Sequence, residues 1–88
     1  GIVHILDCLK AYLKEPDADR EMLINYAKKN GNGAVFKRLG FLADKIGDLE
    51  LSSLCIKEIT QGNAKLDPAI KSPRLVKKWN LWIPEKSL

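Results

Sequence analysis

The stretch from Val35 to Ile46 constrains this chain more than any other. Val35, Phe36, Leu39, Leu42, Ala43 and Ile46 recur every three or four residues, the spacing of an amphipathic helix that buries one face. Asn32 before it is a candidate N-cap, and Gly47 after it is the expected stop. Gly40 sits in the middle of this pattern. An internal glycine costs a helix about 1 kcal/mol relative to alanine. A residue of that cost marks a close approach, so the expectation is that another backbone packs tightly on the Gly40 face.

The flanking segments read as follows. Ile2 to Leu6 is a short apolar run with β-branched residues, which predicts a buried strand. Asp7 then caps a short helix over 8–14, with Leu9, Tyr12 and Leu13 on one face and Pro16 ending it. Asp19 caps a second helix over 20–30, whose apolar stripe is Met22, Leu23, Tyr26 and Ala27. Gly31 is its expected left-handed stop. Asp48 caps a fourth helix, from Leu49 to about Thr60, with Leu51, Leu54, Cys55 and Ile59 inward. Ala64-Lys65-Leu66 is a brief extended piece, Asp67-Pro68 turns the chain, and residues 71–76 read as a loop. Lys78 to Ile83 alternates as a strand with Trp79, Leu81 and Ile83 on one face, ended by Pro84. The fold class is therefore α+β: three to four short helices packed with a small sheet made from the N-terminal strand and one or two C-terminal strands.

Eighty-eight residues allow one domain, burying about 60–65% of the surface its unfolded chain exposes. The chain opens on Gly1 rather than Met and runs straight into Ile2-Val3-His4; the expectation is a domain belonging to something longer. No apolar stretch exceeds three residues, so no membrane span and no membrane partner are expected. One histidine (His4) and two distant cysteines (Cys8, Cys55) fall short of a four-ligand metal site, and His4 sits in an apolar run rather than beside a nucleophile. Gly31-Asn32-Gly33 follows a helix and reads as a turn, not a phosphate loop. These absences lead to an expectation of no catalysis, no metal and no cofactor. The two thiols are expected to be buried in a cytoplasmic protein.

The net charge of +4 is unevenly placed. Residues 1–63 carry nine basic and nine acidic side chains, whereas residues 64–88 carry six bases (Lys65, Lys71, Arg74, Lys77, Lys78, Lys86) against Asp67 and Glu85. Bases flanking Trp79 and Trp82 form a footprint for a phosphate backbone; the same lysines also serve to blunt sheet edges and keep a small domain soluble.

Four stretches, taken in order, resemble the C-terminal domain of the AbiEi-type antitoxins, transcriptional regulators of prokaryotic type IV toxin–antitoxin systems. Ile5-Leu6-Asp7-Cys8-Leu9 is similar to the family's strand-to-helix opening, and Asp19 through Ala27 to its Leu-x-x-Tyr-Ala helix. Val35 through Leu42, containing Arg38-Leu39-Gly40, is similar to its Arg-Leu-Gly-Tyr-Leu helix. Leu66-Asp67-Pro68 with Trp79-Asn80-Leu81 is similar to its Leu-Asp-Pro loop and closing tryptophan strand. The sequence departs from the pattern at Val3-His4, where Arg-Thr is usual, at Ala43-Asp44, where Leu-Glu is usual, and in the lysine-bearing 69–78 loop. The resemblance implies a non-catalytic domain that counteracts a nucleotidyltransferase toxin without holding it in a stable complex. It also implies that promoter DNA is read by an N-terminal winged helix-turn-helix outside these residues.

Individual residues divide between scaffold and surface. Arg38 is either an anchor for nucleic acid or toxin, or a planar fork paired with a carboxylate such as Asp7 or Asp67; the structural role is preferred. Asp67 is a turn former, and Trp79 closes the core. Trp82 falls on the opposite face with Lys78 and Asn80 and is expected to be exposed. With Lys71, Arg74, Lys77 and Lys78 it makes up a second, alternative surface, for weak contact with nucleic acid.

Overall fold

The computed structural model describes the backbone at residues 2–30, 34–67 and 71–85, and the side chains of these residues except 2–6 and 30. Gly31, Asn32, Pro68 and Lys86, and the side chain of His4, lie outside the described residues. Among the described residues four helices come first: α1 (Ile2–Leu13), α2 (Arg20–Asn30), α3 (Val35–Ile46) and α4 (Leu49–Ile56). Three short strands follow among them, β1 (Ala64–Lys65), β2 (Arg74–Val76) and β3 (Leu81–Ile83), with a 3-10 turn at Lys77–Trp79. The α+β class holds, with the sheet built from the C-terminal third of the chain.

The N-terminal strand is not formed. Residues 2–6 open α1 instead, because the local β-branched signal at Ile2-Val3 is outweighed by a longer one: Ile2, Leu6, Leu9 and Leu13 repeat with helical period. Asp7 is consequently no cap but an exposed residue inside the helix. Asp19 does cap α2, accepting from the Met22 N–H at 3.0 Å. In α2 the buried positions are Ile24 and Ala27, while Met22 and Tyr26 are exposed; the stripe lies about a quarter-turn from the expected one. Gly47 terminates α3 in the left-handed region (φ 79°), its N–H donating to the Ala43 and Asp44 carbonyls. Asp48 caps α4 by accepting from the Leu51 N–H at 2.9 Å. That helix ends at Ile56, short of Thr60.

α2 and α4 run side by side in the same direction, pinned at both ends. Arg20 donates to Asp48 at 2.6 Å where they begin, and Lys28 reaches Glu58 at 3.7 Å where they finish. The sheet order is β1-β3-β2, with β1 parallel and β2 antiparallel to β3. β2 occupies part of the segment expected to be a loop; three residues between Pro73 and the 3-10 turn carry no period of their own and become a strand by pairing with β3. One core joins helices to sheet, with Ala43, Leu51, Cys55, Trp79 and Leu81 fully excluded from solvent.

Candidate functional site

Two neighbouring constellations come from residues that the sequence marks. The first is the joint between α3, α4 and the C-terminal turn. Gly40 is buried against the indole of Trp79: a Cβ there would overlap ring atoms Cζ3, Cη2 and Cε3. The close approach expected at Gly40 is thus made by a side chain, not by a backbone. One turn along α3, Asp44 gathers three donors: Ser52 Oγ at 2.6 Å, Trp79 Nε1 at 2.8 Å and Lys78 Nζ at 2.9 Å. Lys78 Nζ also stands 5.1 Å over the Trp79 ring. Burial pushes the Asp44 carboxyl up, but the hydrogen bonds from Ser52, Lys78 and Trp79 outweigh it and hold the group below the ordinary carboxylate range.

Trp79 packs as expected but not in a strand. The 3-10 turn ends at Asn80 in a left-handed conformation (φ 50°), which asparagine tolerates. Its side-chain amide donates to the Thr60 carbonyl at 3.2 Å. This twist lets Trp79 point inward beside Leu81 and Ile83, so the expected alternation of burial holds although the strand begins only at Leu81.

The second constellation is the sheet and its cations. Register places Lys65, Trp82 and Leu75 in one row across β1, β3 and β2, on the face opposite to buried Leu81 and Ile83. Trp82 is half-buried rather than exposed. Lys71, Arg74 and Lys77 are exposed, but Arg74 pairs with Ile83 in register and so belongs to the other face from Trp82. Lys78 is committed to Asp44, so the five proposed contact residues do not form a single plane. Lys65 and Leu75, which flank Trp82, carried no sequence signal for this placement, because it depends on strand register.

Arg38 is half-buried, and its Nε donates to the Lys65 carbonyl at 2.8 Å. The expected carboxylate partner is replaced by a main-chain acceptor. In the β1–β3 pair the Ala64 and Leu66 N–H groups bond toward β3, so the Lys65 carbonyl points to the outer edge and Arg38 covers it. Lys37 beside it is buried, its Nζ donating to the Gly62 carbonyl at 2.7 Å. Leu39 is half-buried, Leu66 is buried and Asp67 is half-buried. Cys55 is buried and its thiol is pushed up to about 12, chiefly by burial. Cys8, by contrast, is exposed, because α1 turns it away from the Leu9 and Leu13 face.

No family model, curated protein or solved structure matches this chain. Its chemistry is therefore read from the residues alone. Among the described residues no group of three His, Cys, Asp or Glu side chains is placed to hold a metal ion, and no helix is long and apolar enough to cross a membrane. A groove of about 170 Å³ is lined by Lys10, Leu13, Lys14, Ile46, Gly47 and Asp48. The carboxylate of Asp48 is occupied: the Arg20 hydrogen bond holds its carboxyl below the ordinary range, against burial. Asp44 and Asp48 are thus ionised, fully engaged side chains, suited to fixing structure rather than to moving protons.

Proposed function

We propose that this chain is a non-catalytic regulatory domain, the antitoxin part of a prokaryotic regulator resembling the AbiEi type, acting against a nucleotidyltransferase toxin. One observation supports the reading most: two of the resembling stretches, far apart in sequence, interlock in space. Gly40 of the Arg-Leu-Gly helix receives the Trp79 indole, and Arg38 of the same helix is tied to Lys65, next to Leu66. The first stretch departs from the family's form, since residues 5–9 are helical throughout. Co-expression of the intact parent protein with a neighbouring nucleotidyltransferase is expected to relieve growth arrest. An unrelieved arrest, or no such gene alongside, overturns the assignment.

A second reading, contact with nucleic acid, draws on the sheet. Lys65, Lys71 and Lys77 are exposed, and Lys65 stands beside the half-buried Trp82 in register, a combination suited to phosphates and one stacked base. Titration with duplex and single-stranded DNA is expected to show binding at low salt that weakens steeply as salt rises, by roughly 0.7–0.9 in log–log slope per phosphate contacted. Lys65→Glu with Lys77→Glu should abolish it. An absence of binding at low salt removes this reading and leaves the first untouched.

A further inference from the structure

The outward face of α4 is unusual for a surface helix. Five of its eight residues are apolar, and the inward ones, Leu51, Leu54 and Cys55, already serve the core. Yet Leu49 is 77% exposed and Ile56 41% exposed. Together with exposed Ser53 they stand at i, i+4 and i+7, forming one stripe on the side away from the buried Leu51 and Cys55. A helix that is apolar on opposite sides is normally covered on both.

The charges beside this stripe say by what. Glu50 and Lys57 are both exposed and lie seven residues apart, so they share one flank of the stripe, acid toward the start and base toward the end. Lys57 is the C-cap and keeps helical geometry (φ −69°, ψ −20°). The helix dipole accounts for the signs of these charges but not for the apolar pair exposed between them.

We infer that α4 is the contact face of a homodimer in which the α4 helices of two copies lie antiparallel about a two-fold axis at Ser53. In that arrangement Leu49 of each copy meets Ile56 of the other, and the small serines let the backbones approach. Glu50 of each copy meets Lys57 of the other on the same side of the interface, so a single contact is made twice, as two-fold symmetry requires. Parallel packing would instead carry the flank to opposite sides of the interface, leaving Glu50 and Lys57 without a partner of opposite charge. This inference stands independently of the antitoxin and nucleic-acid readings.

An eight-residue helix is about 12 Å long, and the patch is smaller than a standard interface of about 800 Å² per partner. The dimer is therefore a weak one, with a Kd on the order of 0.1 mM. Sedimentation equilibrium of the 88-residue chain, from about 10 µM to about 1 mM, is expected to move from monomer to dimer. Leu49→Glu with Ile56→Glu should remain monomeric throughout, with unchanged far-UV circular dichroism, since both side chains are exposed. Glu50→Lys alone and Lys57→Glu alone should each raise Kd about tenfold, because each turns two attractive pairs into two repulsive ones. The double exchange should return Kd to within about twofold of the parent. A parent chain that stays monomeric at about 1 mM, or a double exchange that restores nothing, overturns the proposal.

Discussion

Adding one methyl group at Gly40 is expected to lower this protein's stability by about 3 kcal/mol, a quarter or more of the total. The helix alone would welcome the change: alanine is better than glycine by about 1 kcal/mol in a helix interior. Packing decides the other way. The methyl would occupy space held by the Trp79 ring, and Trp79 is 0% exposed, so the ring cannot move without displacing its neighbours. Overpacking of a closed core costs about 1–3 kcal/mol and sometimes more, and the severity of this overlap places Gly40→Ala at the upper end. A chain of this size has about 4–13 kcal/mol in hand, and the loss corresponds to a Tm lower by about 10–20 °C. Trp79→Leu alone should cost about 3–5 kcal/mol through the cavity it opens. Combined with Gly40→Ala it should cost clearly less than the two losses added, because the smaller side chain gives the methyl room. Urea unfolding of the four proteins measures this. A Gly40→Ala variant as stable as its parent would show that α3 and the indole do not interlock.

The second large effect is expected at Asp44. This carboxylate satisfies Ser52, Trp79 and Lys78 together, joining α3 to α4 and to the C-terminal turn. Asp44→Ala leaves the Ser52 hydroxyl and the Trp79 N–H facing apolar surroundings, and a stranded buried donor costs about 1–3 kcal/mol. Lys78, whose side chain is 54% exposed, returns to water and contributes little. A total loss of about 2–4 kcal/mol is expected. Asp44→Asn should not rescue it fully, since an amide NH₂ turned toward these donors cannot accept from them.

The same group imposes a pH dependence. The Asp44 and Asp48 carboxyls lie below their ordinary value of 3.8 in the folded protein. The unfolded state therefore binds protons first. The stabilisation is complete above the unfolded value and disappears as pH falls through the folded values. The urea midpoint should be flat from about pH 7 to about pH 5 and then drop steeply. Asp44→Asn should make that drop shallower and leave the part owed to the Asp48–Arg20 pair. An equally steep drop in the variant would exclude Asp44 as a source of the acid sensitivity.

Much of the scaffold was legible because its signals are local. Amphipathic spacing defined α3, Asp19 and Asp48 declared themselves as caps through side-chain chemistry confined to one turn, and Gly47 ended α3 by its conformational freedom. The candidate surface was legible only as a list of charges. Lys65, Lys71, Arg74, Lys77 and Lys78 are close in sequence, but strand register sends Arg74 and Trp82 to different faces and the Asp44 carboxylate takes Lys78.

The sequence by itself determined that α3 would be a helix carrying a glycine that something must approach, and that Trp79 would close the core. Tertiary structure alone decided what met that glycine, because the Trp79 ring is brought there by a left-handed Asn80 and a bond to Asp44, 35 residues away. It also decided that residues 74–76 form a strand. A short apolar run has no state of its own, and takes the one in which its backbone groups and its apolar side chains find partners.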